Sequence, residues 1–215
     1  MTLLAAPPDI LTLADLLDRL GGISADRVRY HPLPGTATEA DVVDIERREN
    51  RLCELVDGVL VEKPMGLRES LVAATVSRAL GNFVVPRKLG IVTGADGMMR
   101  LFPGLVRIPD VAFVSSSRLP GGHVPTEPIP DIVPDLAVEV LSQSNTRAEM
   151  DRKLREYFKA GVRVVWIIDL VARSAVVYSN PTQSVTLNGM ERLDGGDVLP
   201  GFALPLADVF AQLDI

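Results

Sequence analysis

The chain has 215 residues, of which 47% are hydrophobic and 23% are charged, and its formal net charge is -6. This length suits one large domain, or one domain with an extension, and the composition is typical of a globular protein with a sizeable core. The acidic balance argues against a surface coated in basic residues for tight nucleic-acid binding. A local basic patch or bound divalent cations would offset it, so a nuclease is not excluded.

The sequence lacks the signatures of several functional classes. No apolar run approaches the roughly 20 residues that span a bilayer, and no basic residues precede the apolar ones at the start, so we expect a cytoplasmic protein with no membrane segment. Cys53 is the only cysteine, which excludes an intrachain disulfide. His31 and His123 lack a ligand-like spacing, and nucleophile-elbow, P-loop and dinucleotide-binding motifs do not occur.

The first 50 residues have the pattern of a helical extension. Residues 9–20 carry apolar side chains at helical spacing and end at a Gly-Gly pair, which predicts an N-terminal helix. A proline-containing loop leads to residues 38–50, where Thr38 is placed to cap a second helix. We therefore expect an N-terminal helical extension over residues 1–50 and the main domain over residues 51–215.

Residues 51–63 are predicted to form a β-hairpin, because a central Asp-Gly pair is a favoured two-residue turn between apolar runs. Pairing Val56 with Val59 sets Glu54 opposite Val61, on a face that is otherwise apolar, so Glu54 would point inward. A slip of one residue would turn Glu54 outward. The sequence leaves both orientations open.

A helix is predicted over residues 67–84 from apolar side chains at helical spacing. Glu69 lies near its start, on the same stripe as Val72. An acid at a helix N-terminus commonly interacts with the helix dipole. The functional alternative is that Glu69 leans over the sheet toward another acid, Glu139, in a later strand.

Residues 90–115 are predicted to contain two or three strands with turns near residues 95–97 and 103–104. In the last strand, side-chain alternation places Asp110 among apolar neighbours on one face. An acid in such a place is costly unless a cation or hydrogen-bond donors meet it. Because Asp110 follows Pro109, it either marks the edge of the strand or belongs to a functional site.

Residues 115–134 contain five prolines and are predicted to form a long loop. A loop of this length in a compact domain is typical of a lid, a substrate wall or an arm to a partner subunit. His123 lies in this loop. We interpret His123 as a surface residue, with a catalytic role as the alternative.

Residues 134–169 have the pattern of a strand, a crossover helix and a parallel strand. Both faces of the first strand are apolar apart from Glu139, which therefore needs a partner, either in a structural ion pair or in a functional site. Thr146 and Glu149 match a capping box at the start of the helix, and Gly161 ends it.

Lys153 lies at the border of the apolar arc of this helix, which is formed by Met150, Leu154, Tyr157 and Phe158. Its stem can follow the sheet while its ammonium reaches toward Glu139. The remaining charges of the helix are typical of a solvated face: Asp151, Arg152, Arg155, Glu156 and Lys159. Asp110, Glu139 and Lys153 are therefore the candidate functional set.

With these three residues placed, the chain resembles the Uma-two family of restriction-endonuclease-like proteins, within the PD-(D/E)XK nuclease superfamily. The resemblance covers roughly residues 51–178 and is carried by five blocks, RLCELVDGVLVEKP, VRIPDVAFVS, PDLAVEVLSQSN, RKLREYFKAGV and VVWIID. It implies an α/β restriction-endonuclease-like core, with a central mixed sheet flanked by helices, over residues 51–215.

The resemblance also implies a site in which Asp110 and Glu139 hold Mg²⁺ or Mn²⁺. The wider superfamily has a lysine two residues after the second acid, where this chain has Leu141. The lysine of the family lies instead on the following helix, and Lys153 matches it as the third catalytic residue.

Two further acids are implied as auxiliary residues. Glu69 corresponds to the first-helix acid of many superfamily members, and Glu54 is the second auxiliary acid. The implied activity is that of a metal-dependent endonuclease acting on the phosphodiester bonds of a nucleic acid. DNA is the expected substrate, the sequence leaves the choice between DNA and RNA open, and a homodimer is one arrangement the resemblance allows.

Two alternatives to this function remain open from the sequence. A nuclease-like fold can lose its activity and act as a binding or regulatory protein, since fold does not fix function. The same metal chemistry would also serve an enzyme that acts on another phosphate ester.

Overall fold

The computed structural model describes residues 12–64 and 66–214. Its helices are α1 (Leu13–Arg19), α2 (Glu39–Glu49), α3 (Leu67–Val84), α4 (Arg147–Ala160) and α5 (Leu206–Phe210). Its strands are β1 (Cys53–Val56), β2 (Val59–Glu62), β3 (Gly90–Thr93), β4 (Met99–Phe102), β5 (Leu105–Arg107), β6 (Val111–Ser115), β7 (Leu136–Leu141), β8 (Val164–Asp169), β9 (Ser174–Asn180), β10 (Gln183–Asn188), β11 (Arg192–Gly195) and β12 (Leu199–Pro205).

A six-stranded mixed sheet, in the order β10-β9-β8-β7-β6-β3, forms the centre of the fold. β7 and β8 are parallel and α4 connects them, whereas the other neighbouring pairs are antiparallel. A four-stranded sheet, β2-β1-β5-β4, and the pair β11-β12 complete the strand pairing. The predicted mixed α/β fold and its strand-helix-strand unit are confirmed.

The central sheet is covered on both faces because successive side chains of each strand point to opposite sides. On one face, Val138 and Trp166 pack with Leu80 of α3 and with the C-terminal elements. On the other face, Ala137 packs with Leu154 and its neighbours on α4. The strands beside Glu139 are therefore buried from both sides.

The β1-β2 hairpin has the register expected from its turn, since Val56 pairs with Val59 and Glu54 with Val61. One of its faces packs against α2 and the other against α1. Because apolar helices cover both faces, a shifted register would bury a different set of side chains. Glu54 consequently points inward and is 1% exposed.

The predicted helix over residues 67–84 is confirmed, and α4 ends at Gly161, whose φ of 103° favours glycine. The first helix spans Leu13–Arg19, and residues 9–11 of its predicted range lie outside the described residues. Within ranges 12–64 and 66–214, no helix has both the length and the apolar character needed to cross a bilayer.

The expectation of two or three strands over residues 90–115 was wrong, because the structure has four. β5 belongs to the four-stranded sheet and β6 to the central sheet. Pro109 lies between β5 and β6, and it has no N–H group with which to continue the ladder. The chain therefore changes sheets at this point and delivers Asp110 to the edge of β6.

Candidate active site

Asp110 lies directly ahead of β6, beside the middle of β7. Its N–H donates to the carbonyl of Val138 at 3.0 Å, and its Oδ2 accepts from the N–H of Val140 at 2.7 Å. Asp110 therefore bonds to the backbone on both sides of Glu139, which lies between Val138 and Val140. The carboxylates of Asp110 and Glu139 line one pocket with an empty volume of about 490 Å³.

Lys153 reaches Glu139 from α4, as its position at the border of the apolar arc predicted. Its Nζ lies 3.1 Å from Oε2 and 3.3 Å from Oε1 of Glu139. The same ammonium lies 3.3 Å from Oε1 of Glu54, and its side chain is 5% exposed. One lysine thus joins the buried acid of β7 to the buried acid of β1.

Glu54 is held by cations on two sides. Besides Lys153, Arg107 donates to its Oε2 at 2.6 Å and the N–H of Ile108 donates to its Oε1 at 3.1 Å. Burial by itself would raise the pKa of Glu54, but Lys153 and Arg107 outweigh burial and lower it to about 2. Glu54 therefore stays ionised and fixes the position of Lys153.

Tyr157 is a site residue that sequence reasoning assigned only to the apolar arc of α4. Its hydroxyl donates to Oε1 of Glu139 at 2.5 Å. Burial and the negative charge of Glu139 raise the pKa of Tyr157 well above its ordinary value, so the phenol keeps its proton. Its spacing of one helical turn from Lys153 is the signal that would have indicated this contact.

The ionisation of Glu139 is opposed by its surroundings. Burial raises the pKa of Glu139, Lys153 lowers it, and the negative charges of Asp110 and Glu54 raise it again. The net direction is upward, because two neighbouring carboxylates add to the loss of solvent. A cation placed between Asp110 and Glu139 would relieve this repulsion.

Lys63 is the second site residue that the sequence did not single out. It follows β2 directly, and its Nζ lies 2.8 Å from Oδ1 of Asp110. Asp110 and Glu139, the two acids that line the pocket, are therefore each paired with a lysine. In the sequence, Lys63 was only the last residue of the hairpin block, with no pattern linking it to Asp110.

Glu69 lines the same pocket from the first turn of α3. Its Oε2 approaches the backbone of Gly66 so closely that a Cβ there would lie 1.9 Å from it. Glycine at this position therefore makes room for the carboxylate. The placement of Glu69 satisfies the helix-dipole interpretation and also brings the acid to the wall of the candidate site.

Two expectations for the charges of α4 were wrong. Thr146 caps the helix, but the carboxylate of Glu149 does not complete a capping box; it forms a two-pronged pair with Arg27 at 2.8 and 3.0 Å. Arg152 and Glu156 are not on a solvated face, since their side chains are 17% and 15% exposed and pair with each other. These charges are enclosed because they pair with Arg27, Asp57 and Arg107, which lie in other segments of the chain.

His123 is exposed and lines a different groove, formed by the proline-containing loop and α2. It is not among the residues that line the pocket of Asp110 and Glu139. The interpretation of His123 as a surface residue is confirmed.

The donor set of the pocket fits a hard divalent cation. Within residues 12–64 and 66–214, no group of three or more acid, histidine or cysteine side chains is arranged to hold a metal. Mg²⁺, however, commonly keeps several waters and is held by one or two carboxylates together with substrate oxygens. Asp110 and Glu139 supply two such carboxylates.

The family model "Uma2: Putative restriction endonuclease" matches residues 39–207. The chain belongs to the Uma2 family. The Uma2 match begins inside the predicted N-terminal extension and so includes α2. The resemblance stated from the five sequence blocks is confirmed.

A solved structure agrees with the Uma2 assignment. It is the crystal structure of a "putative nuclease belonging to DUF820" from Anabaena variabilis, with a TM-score of 0.67 and 20% sequence identity. The match covers 75% of this chain and 91% of that chain. At this identity the likeness shows a shared restriction-endonuclease-like fold. No curated protein matches the chain.

Proposed function

We propose that this Uma2 protein is a divalent-metal-dependent endonuclease that hydrolyses phosphodiester bonds in DNA, with Mg²⁺ or Mn²⁺ as its cofactor. The observation that carries the proposal is that the Asp110 carboxylate lies beside Glu139 and that the Lys153 ammonium contacts Glu139 in the same pocket. Two carboxylates and one cationic donor are groups that metal-assisted phosphate chemistry uses.

In this proposal Asp110 and Glu139 hold the metal. A bound Mg²⁺ or Mn²⁺ supplies Lewis acidity at the phosphate and lowers the pKa of water. Lys153 orients the attacking water or offsets the negative charge that develops on the phosphate. Glu54 keeps Lys153 in place, and Glu69 is an auxiliary acid at the pocket wall.

The second candidate is a nuclease-like protein without activity that binds a partner or regulates another process. One observation favours it, namely that Asp110 is paired with Lys63 and Glu139 with Lys153. These two ion pairs neutralise both acids without a metal ion. A functional nuclease must exchange part of this pairing for the metal, whereas a binding protein need not.

The deciding experiment incubates the purified chain with supercoiled plasmid, single-stranded DNA and RNA in Mg²⁺ or Mn²⁺. We expect nicking of DNA that EDTA abolishes, and a loss of at least about 100-fold in Asp110→Ala and Glu139→Ala, because each removes one metal ligand. Glu127→Ala is the matched control, since it removes an exposed acid of the other groove.

The outcomes separate the two candidates. Unchanged cleavage by Asp110→Ala or Glu139→Ala would remove that residue from the mechanism. Absence of cleavage with every substrate, together with equal retention of DNA by wild type and Glu139→Ala, would favour the binding protein. Light scattering on the same samples tests the homodimer that the resemblance allows, which has twice the chain mass of 23.2 kDa.

A further inference from the structure

Lys63 is a buried cation at the wall of the candidate site. Its Nζ lies 2.8 Å from Asp110 Oδ1 and donates to the carbonyls of Ile108 at 2.7 Å and Ala95 at 3.1 Å. An ammonium has three N–H groups, so these three acceptors satisfy it fully. The side chain is 5% exposed, and Lys63 is therefore fixed by the protein rather than by solvent.

The three acceptors come from two segments of the fold. Ala95 lies in the turn between β3 and β4, whereas Ile108 and Asp110 lie in the link between β5 and β6. The two carbonyls satisfy N–H groups but carry no net charge, so they do not neutralise a buried ammonium. Only the carboxylate does so, and Lys63 is consequently an ion partner of Asp110 as well as a bridge between loops.

We propose that Lys63 is the counter-ion of Asp110 in the metal-free protein and the positioning residue that sets metal affinity at this site. It holds the carboxylate in place before the cation arrives, and its positive charge opposes the cation. This inference rests on the proposed function, because it takes Asp110 as a metal ligand.

The opposition follows from the way Lys63 is anchored. The carbonyls of Ala95 and Ile108 hold its ammonium beside Asp110, and a divalent cation on the same carboxylate would have to bind close to it. Like charges at a few ångströms repel strongly where water is scarce. Lys63 therefore stabilises a buried acid at the cost of metal affinity.

The test measures Mn²⁺ binding to the full chain by isothermal titration calorimetry, so it does not depend on cleavage. In Lys63→Met the charge is removed and an unbranched side chain only one atom shorter is kept. We expect its dissociation constant for Mn²⁺ to fall at least about tenfold, because the repulsion disappears. Lys63→Arg keeps the charge and is expected to bind Mn²⁺ within about threefold of wild type.

A second readout is the thermal midpoint of the metal-free protein. It should fall in Lys63→Met, which leaves Asp110 without its counter-ion, and Mn²⁺ should raise it more than in wild type. Lys88→Met is the matched control, since Lys88 is exposed beyond the end of α3. If Lys63→Met does not fold, Lys63→Gln also removes the charge and can still donate to Ile108.

The possible results distinguish this inference from the proposed function. Equal Mn²⁺ affinity in wild type and Lys63→Met would overturn the role of Lys63 and leave the nuclease proposal standing. Weaker binding by Lys63→Met would overturn it as well, because Lys63 would then help to hold the metal. Absence of Mn²⁺ binding in every variant would overturn both proposals.

Discussion

The two faces of the central sheet are packed with different chemistry. Beneath α3, fully buried apolar side chains such as Ile168 and Leu80 belong to one cluster. Beneath α4, the equally enclosed Glu139 contacts the Lys153 ammonium and the Tyr157 hydroxyl. One sheet therefore carries an apolar face and a face with buried charges.

The two faces therefore contribute in different ways, one by stabilising the fold and the other by positioning charged groups. Apolar contacts are non-directional, so the α3 face stabilises the fold through the area it buries. A buried polar network stabilises only when every member is paired, and each unpaired group is costly. Apolar burial on the α3 face offsets the free-energy cost of the charged groups on the α4 face. The α4 face can therefore hold these groups in position.

The largest effect is expected from breaking the polar network at Arg107, whose side chain is 4% exposed and pairs with Glu54 and Glu156. Arg107→Met leaves two carboxylates short of a cation and should lower the free energy of unfolding by about 3–5 kcal/mol. Urea denaturation measures it. Arg155→Met, at an exposed position of α4, is the control, and a loss as small as the control's would contradict the network.

A smaller loss is expected on the apolar face. Leu80→Ala removes a fully buried side chain of α3 and should cost about 3 kcal/mol, through lost burial and the cavity left behind. Mn²⁺ affinity, measured by calorimetry well below the melting temperature, should not change. A large change in Mn²⁺ affinity would show that the two faces are not separate. Val85→Ala, at an exposed position, is the control.

Tyr157→Phe sharpens the comparison by removing one hydroxyl from the polar face. Glu139 then loses its 2.5 Å hydrogen bond, which should lower the free energy of unfolding by about 1–2 kcal/mol. Tyr178→Phe makes the same change at the margin of that face and should stay within about 0.5 kcal/mol of wild type. Equal effects of the two variants would argue against a specific role for the Tyr157 hydroxyl.

The smallest expected effect has the opposite sign and depends on pH. The pKa of Glu139 is raised in the fold by burial and by the charges of Asp110 and Glu54, despite Lys153. An acid with a raised pKa destabilises the folded protein while ionised, and this cost disappears as the pH falls toward its unfolded value of 4.5.

Glu139→Gln should therefore raise the urea midpoint of the metal-free protein at pH 8, and the gain should shrink as the pH approaches 4.5. Urea titrations of both proteins across this range measure it. A Glu139→Gln protein that is less stable than wild type at pH 8 would show that the ionised acid stabilises its surroundings. The expected result would show that keeping Glu139, the proposed metal ligand, costs stability.

Local patterns in the sequence were sufficient for most of the elements around the site. The Asp-Gly turn predicted the hairpin register, but the sequence left the direction of Glu54 open, and the packing of α1 and α2 on the two faces decided it. Thr146 and Gly161 set the ends of α4, which places Lys153 opposite β7. The extra strand between residues 90 and 115 was missed because short strands interrupted by turns and Pro109 carry little periodicity.

The sequence by itself determined the strand-helix-strand unit and singled out Asp110 and Glu139 as acids among apolar neighbours, because alternation, helical spacing and capping act over a few residues. The mixed sheet was implied by the resemblance to a family. Only the tertiary structure decided that Lys63 meets Asp110 and that Arg107 meets Glu54, since these contacts arise where the β1-β2 hairpin lies beside β5 and the β5-β6 link. No local sequence pattern predicts these ion pairs, because the partners are distant in the chain and each charged residue has several possible partners of opposite charge.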